Sequence, residues 1–146
     1  MAQTGAERSR LFRERHPKRV KVTMHRQNRR LEARFGAAKS NAERKNHTWD
    51  IEFSDYSNLL IQPCYYHGGK LSETGIGLDR LDNLRGYSLD NVVPCCGICN
   101  FVRGNKFTPT ETLRLGVVIK EILEERGVSG IPIPHNLVRL GKSDVH

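Results

Sequence analysis

Four residues of the sequence form two short pairs of metal-ligand type. Cys64-x-x-His67 and Cys96-x-x-Cys99 supply three thiols and one imidazole, a donor set that closes a tetrahedral shell around structural zinc. The 28 residues between the pairs exceed the roughly 15 to 20 of a plain zinc ribbon, so a further segment is inserted there. Cys95 lies one residue out of register and is interpreted as a core thiol, with zinc ligation as a minor alternative.

The inserted segment contains GLDRLDNLRGY, residues 77–87, which ends nine residues before CGICN. Arg80 follows Asp79 directly. A guanidinium stays protonated in proteins, so it can neither act as a base nor bind a cation. The spacing therefore predicts an anionic partner near Arg80.

A longer run of the sequence carries a resemblance: G-L-D-R-L-D-N-x-x-G-Y-x-x-x-N-V-V-P-x-C-x-x-C-N. It resembles the ββα-metal core of the HNH nucleases, in the branch where Asp-Arg stands in place of Asp-His, and covers about residues 47–107. The resemblance implies an α+β fold, with a small zinc-stabilised ββα-metal (HNH) core, basic N-terminal helices and a C-terminal helix. It also implies a DNA endonuclease that uses Mg²⁺ or Mn²⁺ and leaves 5′-phosphate and 3′-hydroxyl ends.

The resemblance also assigns roles to residues of the core. Asp79, at the end of the first strand, and Asn100, on the helix, are implied ligands of a catalytic divalent ion, while Asn91 is implied to brace the loop between the strands. The two pairs hold the structural zinc, with His67 where Cys is commoner. Because Cys99 and Asn100 are successive on a helix, they point about 100° apart and can serve different ions. A carboxylate and an amide oxygen leave a hard cation free positions for water and phosphate.

The general base is not fixed by the resemblance, since Arg80 stands where the usual family member has a histidine. A guanidinium cannot take a proton from water at neutral pH, so Arg80 is assigned to gripping the scissile phosphate. Tyr87 is the preferred base by a narrow margin, because a nearby arginine and metal are expected to lower its pKa. His47, which titrates near neutrality, is the close alternative. Asp82 is a third candidate, at a spacing that points it away.

Basic residues are concentrated in the first third of the chain. The net charge is +8, and residues 1–47 hold 14 Lys and Arg against 4 Asp and Glu. A cationic arm on a near-neutral body is typical of proteins that bind polyphosphates. The predicted division is a DNA-binding arm of residues 1–46, a nuclease core of residues 47–107 and a C-terminal helix with an extended tail, residues 108–146. The candidate DNA-binding residues are Arg26, Arg29, Arg30, Arg34, Arg103 and Lys106.

Local patterns predict the helices and strands that position these groups. Two helices are expected at residues 6–16 and 18–46, broken at Pro17. Alternating apolar residues predict a strand, and Ser54 is expected to cap a short helix after it. A second strand spans Asn91 to Pro94 and leads to a helix that opens near Cys96. The strand residues are Trp49, Ile51 and Phe53, and the short helix turns Tyr56, Leu59 and Leu60 to the core.

The last predicted helix begins at Thr108, with a capping-box Glu111, and stops at Gly127. Its apolar residues are expected to pack in the core, and the tail from Gly130 is expected to be extended. The expected packing residues are Leu113, Val117, Val118, Ile122 and Leu123.

The sequence also bounds the cellular setting and the partners. It has no secretory signal pattern and no apolar run near the ~20 residues of a membrane span, so a cytoplasm, bacterial or phage-infected, is expected. Double-stranded DNA is the expected partner, with a homodimer if the target is palindromic. Two alternatives stay open: a catalytically inactive, zinc-stabilised DNA-binding module, and a zinc scaffold for protein partners. Homing, restriction and phage genome packaging are equally compatible roles.

Overall fold

The computed structural model describes residues 4–127, which begin with two basic helices. Helix α1 (Gly5–Arg15) starts in a capping box, in which Thr4 and Glu7 satisfy each other's backbone N–H groups. Helix α2 (Pro17–Arg44) begins at Pro17, where the missing N–H costs nothing. The predicted break at Pro17 is confirmed.

Helix α2 contacts the body only through its C-terminal half. Ala38 and Ala42 are buried there, and Leu31 and Phe35 pack against the same cluster. In the N-terminal half, residues 17–30 are exposed except for the half-buried Val20. Most of the positive charge of this helix therefore faces solvent.

The segment after the arm is shorter in strand than predicted. Strand β1 (Trp49–Asp50) pairs in parallel with β3 (Tyr87–Ser88), and helix α3 (Phe53–Leu60) follows at once. The prediction of a strand through Phe53 and of a Ser54 cap was wrong, because Phe53 already belongs to the helix and Glu52 is its N-cap.

Helical spacing explains the change, since it brings Phe53 and Tyr56 to the same side of α3. Both rings meet the ring of Phe35 edge-on, at centroid distances of 5.6 and 5.4 Å. Tyr56 is fully buried, with Leu59 and Leu60 packed around it, as predicted.

The centre of the molecule is a ββα unit. Strand β2 (Leu78–Arg80) pairs antiparallel with β4 (Val92–Pro94), so that Asp79 lies opposite Val93. Asp79 is thus in the middle of its strand. The prediction that Asp79 lies at the end of the strand was wrong. Helix α4 (Gly97–Arg103) follows, and its N-cap is Cys96, whose sulfur accepts from the Cys99 N–H. A helix opening at Cys96 is confirmed.

Helix α5 (Pro109–Glu125) has the predicted ends: the Thr108–Glu111 capping box at its start and Gly127, with φ +64°, beyond its last turn. The helix packs through small residues, because a β-carbon at Gly116 would overlap the carbonyl oxygen of Tyr66. Of the five predicted packing residues, only Leu123 is buried. The prediction was wrong for four residues that lie exposed on either side of the contact face: Leu113, Val117, Val118 and Ile122. The predicted extended tail lies outside the described residues.

Candidate active site and zinc centre

Four buried side chains from the two sequence pairs converge at one point. The ligand atoms of Cys64, His67, Cys96 and Cys99 all lie within 4.8 Å of one another. The Nδ1 atom of His67 is 3.5 Å from the Cys96 sulfur and 3.4 Å from the Cys99 sulfur. Three thiols and one imidazole in so small a volume can hold a tetrahedral zinc ion. The sequence-predicted ligand set is thereby brought together.

The loop that carries Cys64 and His67 is folded as a tight turn. The Cys64 N–H donates to the Gly69 carbonyl and the Gly68 N–H donates to the Cys64 carbonyl, both at 2.8 Å. A β-carbon at Gly69 would overlap Nε2 of His67. Glycine at this position therefore leaves room for the imidazole to turn Nδ1 toward the thiols.

The thiols affect one another's protonation. Hydrogen bonds from the Cys95, Cys96 and Cys99 side chains hold the pKa of Cys64 well below its ordinary value, while the same contacts with Cys64 raise the pKa values of the other three thiols. Cys95 is buried and lies outside the four-ligand cluster, so its interpretation as a core thiol agrees with the structure.

Asn91 holds the loop between β2 and β4. Its Oδ1 accepts from the Asp82 N–H at 2.9 Å, and its Nδ2 donates to the carbonyls of Asp82 and Gly86 at 3.1 and 2.9 Å. The side chain is almost fully buried. This is the backbone bracing expected for Asn91. Asp82 is exposed and its Oδ1 accepts from the Leu84 N–H, so it serves the turn.

Backbone carbonyls and the Tyr87 side chain hold the guanidinium of Arg80. Its Nη1 donates to the carbonyls of Asn83 and Arg85 at 3.0 and 2.7 Å, and its guanidinium carbon lies 5.3 Å from the ring centroid of Tyr87. Within residues 4–127, the hydrogen bonds of Arg80 to backbone carbonyls all run through Nη1, and the Tyr87 side chain also hydrogen-bonds to the guanidinium. The Arg80 side chain is half-buried.

His47 lies beside this guanidinium. Its Nδ1 is 3.3 Å from Nη1 of Arg80, and its ring centroid is 6.3 Å from that of Tyr87. Burial, and then the charges of Arg80 and Lys45, lower the pKa of His47 below its ordinary value of 6.5. The imidazole is therefore neutral at pH 7 and can accept a proton.

Tyr87 does not have the electrostatics that the sequence suggested. Burial raises the pKa of Tyr87, and this outweighs the lowering effect of Arg80. Its ring packs 5.0 Å from that of Trp49, centroid to centroid. The expected lowering of the Tyr87 pKa by a nearby arginine and metal is not produced by Arg80 alone, because loss of hydration has the larger effect.

Asp79 makes a buried ion pair. Nη1 of Arg103 lies 2.8 Å from Oδ1 and 2.7 Å from Oδ2 of Asp79, and the hydroxyl of Tyr66 donates to Oδ2 at 2.5 Å. Arg103 is only 3% exposed and Asp79 only 7%. The prediction that Arg103 meets the DNA backbone was wrong, since α4 turns this side chain inward to the β2 strand.

Asn100, one helical turn before Arg103, lies on the same seam between β2 and α4. Its Nδ2 is 3.5 Å from the carbonyl of Leu78, and it lines a cleft of about 300 Å³ that Asp79 does not line. The carboxylate and the amide oxygen are the donor types that a hard divalent ion prefers. They fit such an ion in chemistry, although the Asp79 carboxylate already contacts a cation of the protein.

The predicted DNA-binding residues divide into two kinds. Arg26, Arg29 and Arg30, together with Lys106, are exposed. Arg34 is instead committed to the body, because its Nε and Nη2 donate to the carbonyls of residues 75 and 74 at 2.7 and 3.0 Å. The guanidinium holds the loop that leads into β2, and the assignment of Arg34 to DNA binding stays a prediction.

Tyr66 is a site residue that the sequence reasoning missed. It lies inside the Cys64–His67 turn, and burial and its hydrogen bond to Asp79 raise its pKa well above the ordinary range. The adjacent Tyr65-Tyr66 letters were visible in the sequence. Nothing local distinguishes the exposed Tyr65 from the buried Tyr66.

No helix within residues 4–127 has the length and hydropathy that crossing a membrane requires. No protein-family model matches the chain. A curated relative, an uncharacterized protein of Acanthamoeba polyphaga mimivirus, is 32% identical over 95 residues, which is 65% of this chain and 18% of the relative. The chain thus spans less than a fifth of that protein's length.

A solved structure gives the fold. The chain is similar to the rare-cutting HNH restriction endonuclease PacI with a TM-score of 0.57 and 24% identity, over 67% of this chain and 82% of that one. The likeness shows a shared fold. It confirms the expected α+β fold, which is similar to that of this HNH endonuclease, and the Cys/His cluster is a possible zinc site within it.

Proposed function

We propose that this protein is a metal-dependent DNA endonuclease that hydrolyses phosphodiester bonds. The proposal is carried by the imidazole of His47, whose pKa is lowered, beside the half-buried guanidinium of Arg80, in a protein whose fold is similar to that of an HNH endonuclease. A base and an anion-binding group at contact distance are two of the groups that phosphodiester hydrolysis uses.

Arg80 binds the scissile phosphate, while the loop carbonyls and Tyr87 keep the guanidinium in place. His47 then takes a proton from a water molecule positioned by that phosphate. Asp79 and Asn100 would hold the divalent ion, Mg²⁺ or Mn²⁺, and such an ion stabilises the leaving 3′ oxygen. The expected products carry 5′-phosphate and 3′-hydroxyl ends, as the HNH resemblance implies.

The basic arm holds the duplex. The exposed guanidiniums of Arg26, Arg29 and Arg30 lie on the half of α2 that stands clear of the body, and Lys106 adds a positive charge just beyond α4. Neutralising phosphates with such residues releases condensed counterions and makes binding strongly salt-dependent. The structural zinc, on Cys64, His67, Cys96 and Cys99, fixes the core that presents the site.

Plasmid cleavage tests the proposal. Purified zinc-loaded protein with Mg²⁺ or Mn²⁺ is expected to nick or linearise supercoiled plasmid. His47→Ala is the loss-of-function variant, with His47→Gln as its matched control for size and hydrogen bonding. Both must retain zinc content and DNA affinity. Cleavage at the full rate by both variants would remove His47 from the mechanism, and absence of cleavage by the wild type with every divalent ion would remove the enzyme.

A second candidate function is an inactive, zinc-stabilised DNA-binding module. The observation that favours it is the ion pair of Asp79 with Arg103, which occupies the carboxylate that a catalytic ion would use. This candidate expects salt-sensitive binding to duplex DNA without cleavage. Gel-shift and plasmid assays on the same preparation separate the two functions.

The biological role follows from where the protein cuts. Homing, restriction and phage-associated nucleases can share this core, and a palindromic target would favour a homodimer. We place the protein in a reducing cytoplasm, because its four cysteines are unpaired thiols of the kind that structural zinc requires. Mapping cut ends on a long sequenced DNA would distinguish these roles.

A further inference from the structure

We propose that Arg103 is an internal competitor of the divalent ion: its guanidinium occupies Asp79 in the metal-free protein and must leave for the ion to bind there. The inference deepens the proposed nuclease function, because it concerns the same carboxylate. The affinity of the protein for the catalytic ion then depends on Arg103 as well as on the ligands Asp79 and Asn100.

The guanidinium of Arg103 is held by oxygen atoms of Asp79 and of the neighbouring backbone. Nη1 touches both oxygens of Asp79 and also lies 2.6 Å from the Arg80 carbonyl, while Nη2 donates to the Leu81 carbonyl at 2.9 Å. The guanidinium therefore sits against the carboxylate and the adjoining strand backbone, surrounded by oxygen atoms. These are hard oxygen donors, the kind that a divalent cation also selects.

Electrostatics makes the two cations exclusive. Both partners of the pair are almost fully buried, so solvent screens charges there much less than at the surface. A divalent ion on Asp79 would lie within contact range of a guanidinium that is held by the same oxygens. Like charges at that distance repel strongly, and one of them has to move away.

The position of Arg103 at the end of α4 favours movement of its side chain away from Asp79. Its Nε is buried and has no hydrogen-bond partner within the described part of the chain, so the inward position leaves one donor unsatisfied at a cost. Arg103 is also the last residue of α4, and Gly104 after it adopts φ 45°, a conformation open to glycine. The side chain thus leaves the backbone at a helix end, where it can move with less disturbance than in a helix interior.

Tyr66 is an uncharged partner of Asp79 and therefore serves as a control for Arg103. It contacts the same carboxylate through its hydroxyl but brings no charge. Tyr66→Phe removes a hydrogen bond from Asp79, whereas Arg103→Gln removes the cation and keeps a hydrogen-bonding side chain. If competition is electrostatic, only the second change strengthens ion binding.

The test measures Mn²⁺ binding to the full, zinc-loaded chain without DNA, by electron paramagnetic resonance of free Mn²⁺. Arg103→Gln is expected to bind Mn²⁺ at least tenfold more tightly than wild type, while Arg103→Lys and Tyr66→Phe do not. Adding Asp79→Asn to Arg103→Gln is expected to abolish the gain. Zinc content and circular dichroism establish that each variant is folded.

A measurement on the wild type covers the case in which Arg103→Gln does not fold. Nuclear magnetic resonance of arginine side chains is expected to show slowly exchanging Arg103 Nη protons in the metal-free protein, and their loss as Mg²⁺ saturates the site. Mn²⁺ affinity unchanged by Arg103→Gln, no binding to either protein, or protected Nη protons at Mg²⁺ saturation would overturn the competition. The nuclease proposal fails separately, in the plasmid assay.

Discussion

Nη1 of Arg80 lies 3.3 Å from Nδ1 of His47, so a permanent cation faces one ring nitrogen of the imidazole. Burial, and then the charge of Arg80, lowers the pKa of His47, and the contact places the imidazole beside the group that would bind a phosphate. We therefore propose His47 as the base in place of Tyr87, and the consequences can be measured.

Replacing His47 with alanine is expected to lower the rate of DNA cleavage by about 10² to 10⁴-fold, the usual contribution of a general base. The fold should persist, since His47 is only half-buried at the end of the arm. Single-turnover cleavage of a labelled duplex measures the effect. A rate within a factor of a few of wild type would exclude His47.

The pH dependence of cleavage follows from the same residue. The pKa of folded His47 is below 6.5, so the base form should persist as the pH falls through 6.5 and be lost only at the lower folded pKa. The neutral form is also the one favoured by folding, so His47 contributes stability above pH 6.5 that is lost as the pH falls below it. A rate profile at constant ionic strength measures this. An acidic limb centred above pH 6.5 would contradict it.

Tyr87→Phe is expected to leave cleavage near the wild-type rate. The raised pKa keeps the phenol protonated at neutral pH, and phenylalanine preserves both the packing on Trp49 and the face that Arg80 covers. Tyr87→Ala is the contrasting variant and should lose about 1–3 kcal/mol of stability. Denaturant unfolding and cleavage assays distinguish the two. A large loss of activity in Tyr87→Phe alone would restore the phenol as a catalytic group.

Removal of zinc is expected to unfold the core. Structural zinc sites in small domains contribute binding free energies of ~10–16 kcal/mol, which are coupled to folding. Chelation, or Cys99→Ala, should abolish the cooperative unfolding transition. His67→Cys retains four ligands and should keep the metal, with zinc content measured by atomic absorption. A native, zinc-free Cys99→Ala protein would argue against the site.

Arg34 and Arg30 form a matched pair on α2. Arg34→Ala should lower stability by about 1–3 kcal/mol through the loss of its charged hydrogen bonds to the loop carbonyls. Arg30→Ala should leave stability unchanged and reduce the salt slope of DNA binding by about 0.9. Thermal unfolding and fluorescence anisotropy at several salt concentrations test both. Interchanged effects would reverse the two assignments.

The sequence predicted those parts of the site that are fixed over short distances. The zinc ligands come as two x-x spaced pairs, and the Asn91 loop and the Thr108–Glu111 capping box depend on neighbours within nine residues. Arg103 was misassigned because its partner Asp79 is 24 residues away, and no local pattern tells a buried arginine from an exposed one. Long-range contacts decide such cases.

The same limit explains the error at Phe53. Alternation from Trp49 to Phe53 fits a strand. The ring of Phe35, on another helix, packs against both Phe53 and Tyr56, and this packing favours helical spacing of the two residues. Propensity over five residues is weak, and tertiary packing overrides it. The exposure of Val117 and Val118 likewise reflects which face of α5 meets the zinc-bearing loop.

The glycine of α5 that touches the Tyr66 backbone has a kinetic consequence. With Gly116 in place, the C-terminal helix lies directly on the turn between Cys64 and His67, and the turn cannot spread without lifting the helix. The rate at which a chelator removes zinc should thus be limited by undocking of α5. A bulkier residue at position 116 should speed zinc loss even though all four ligands remain in place.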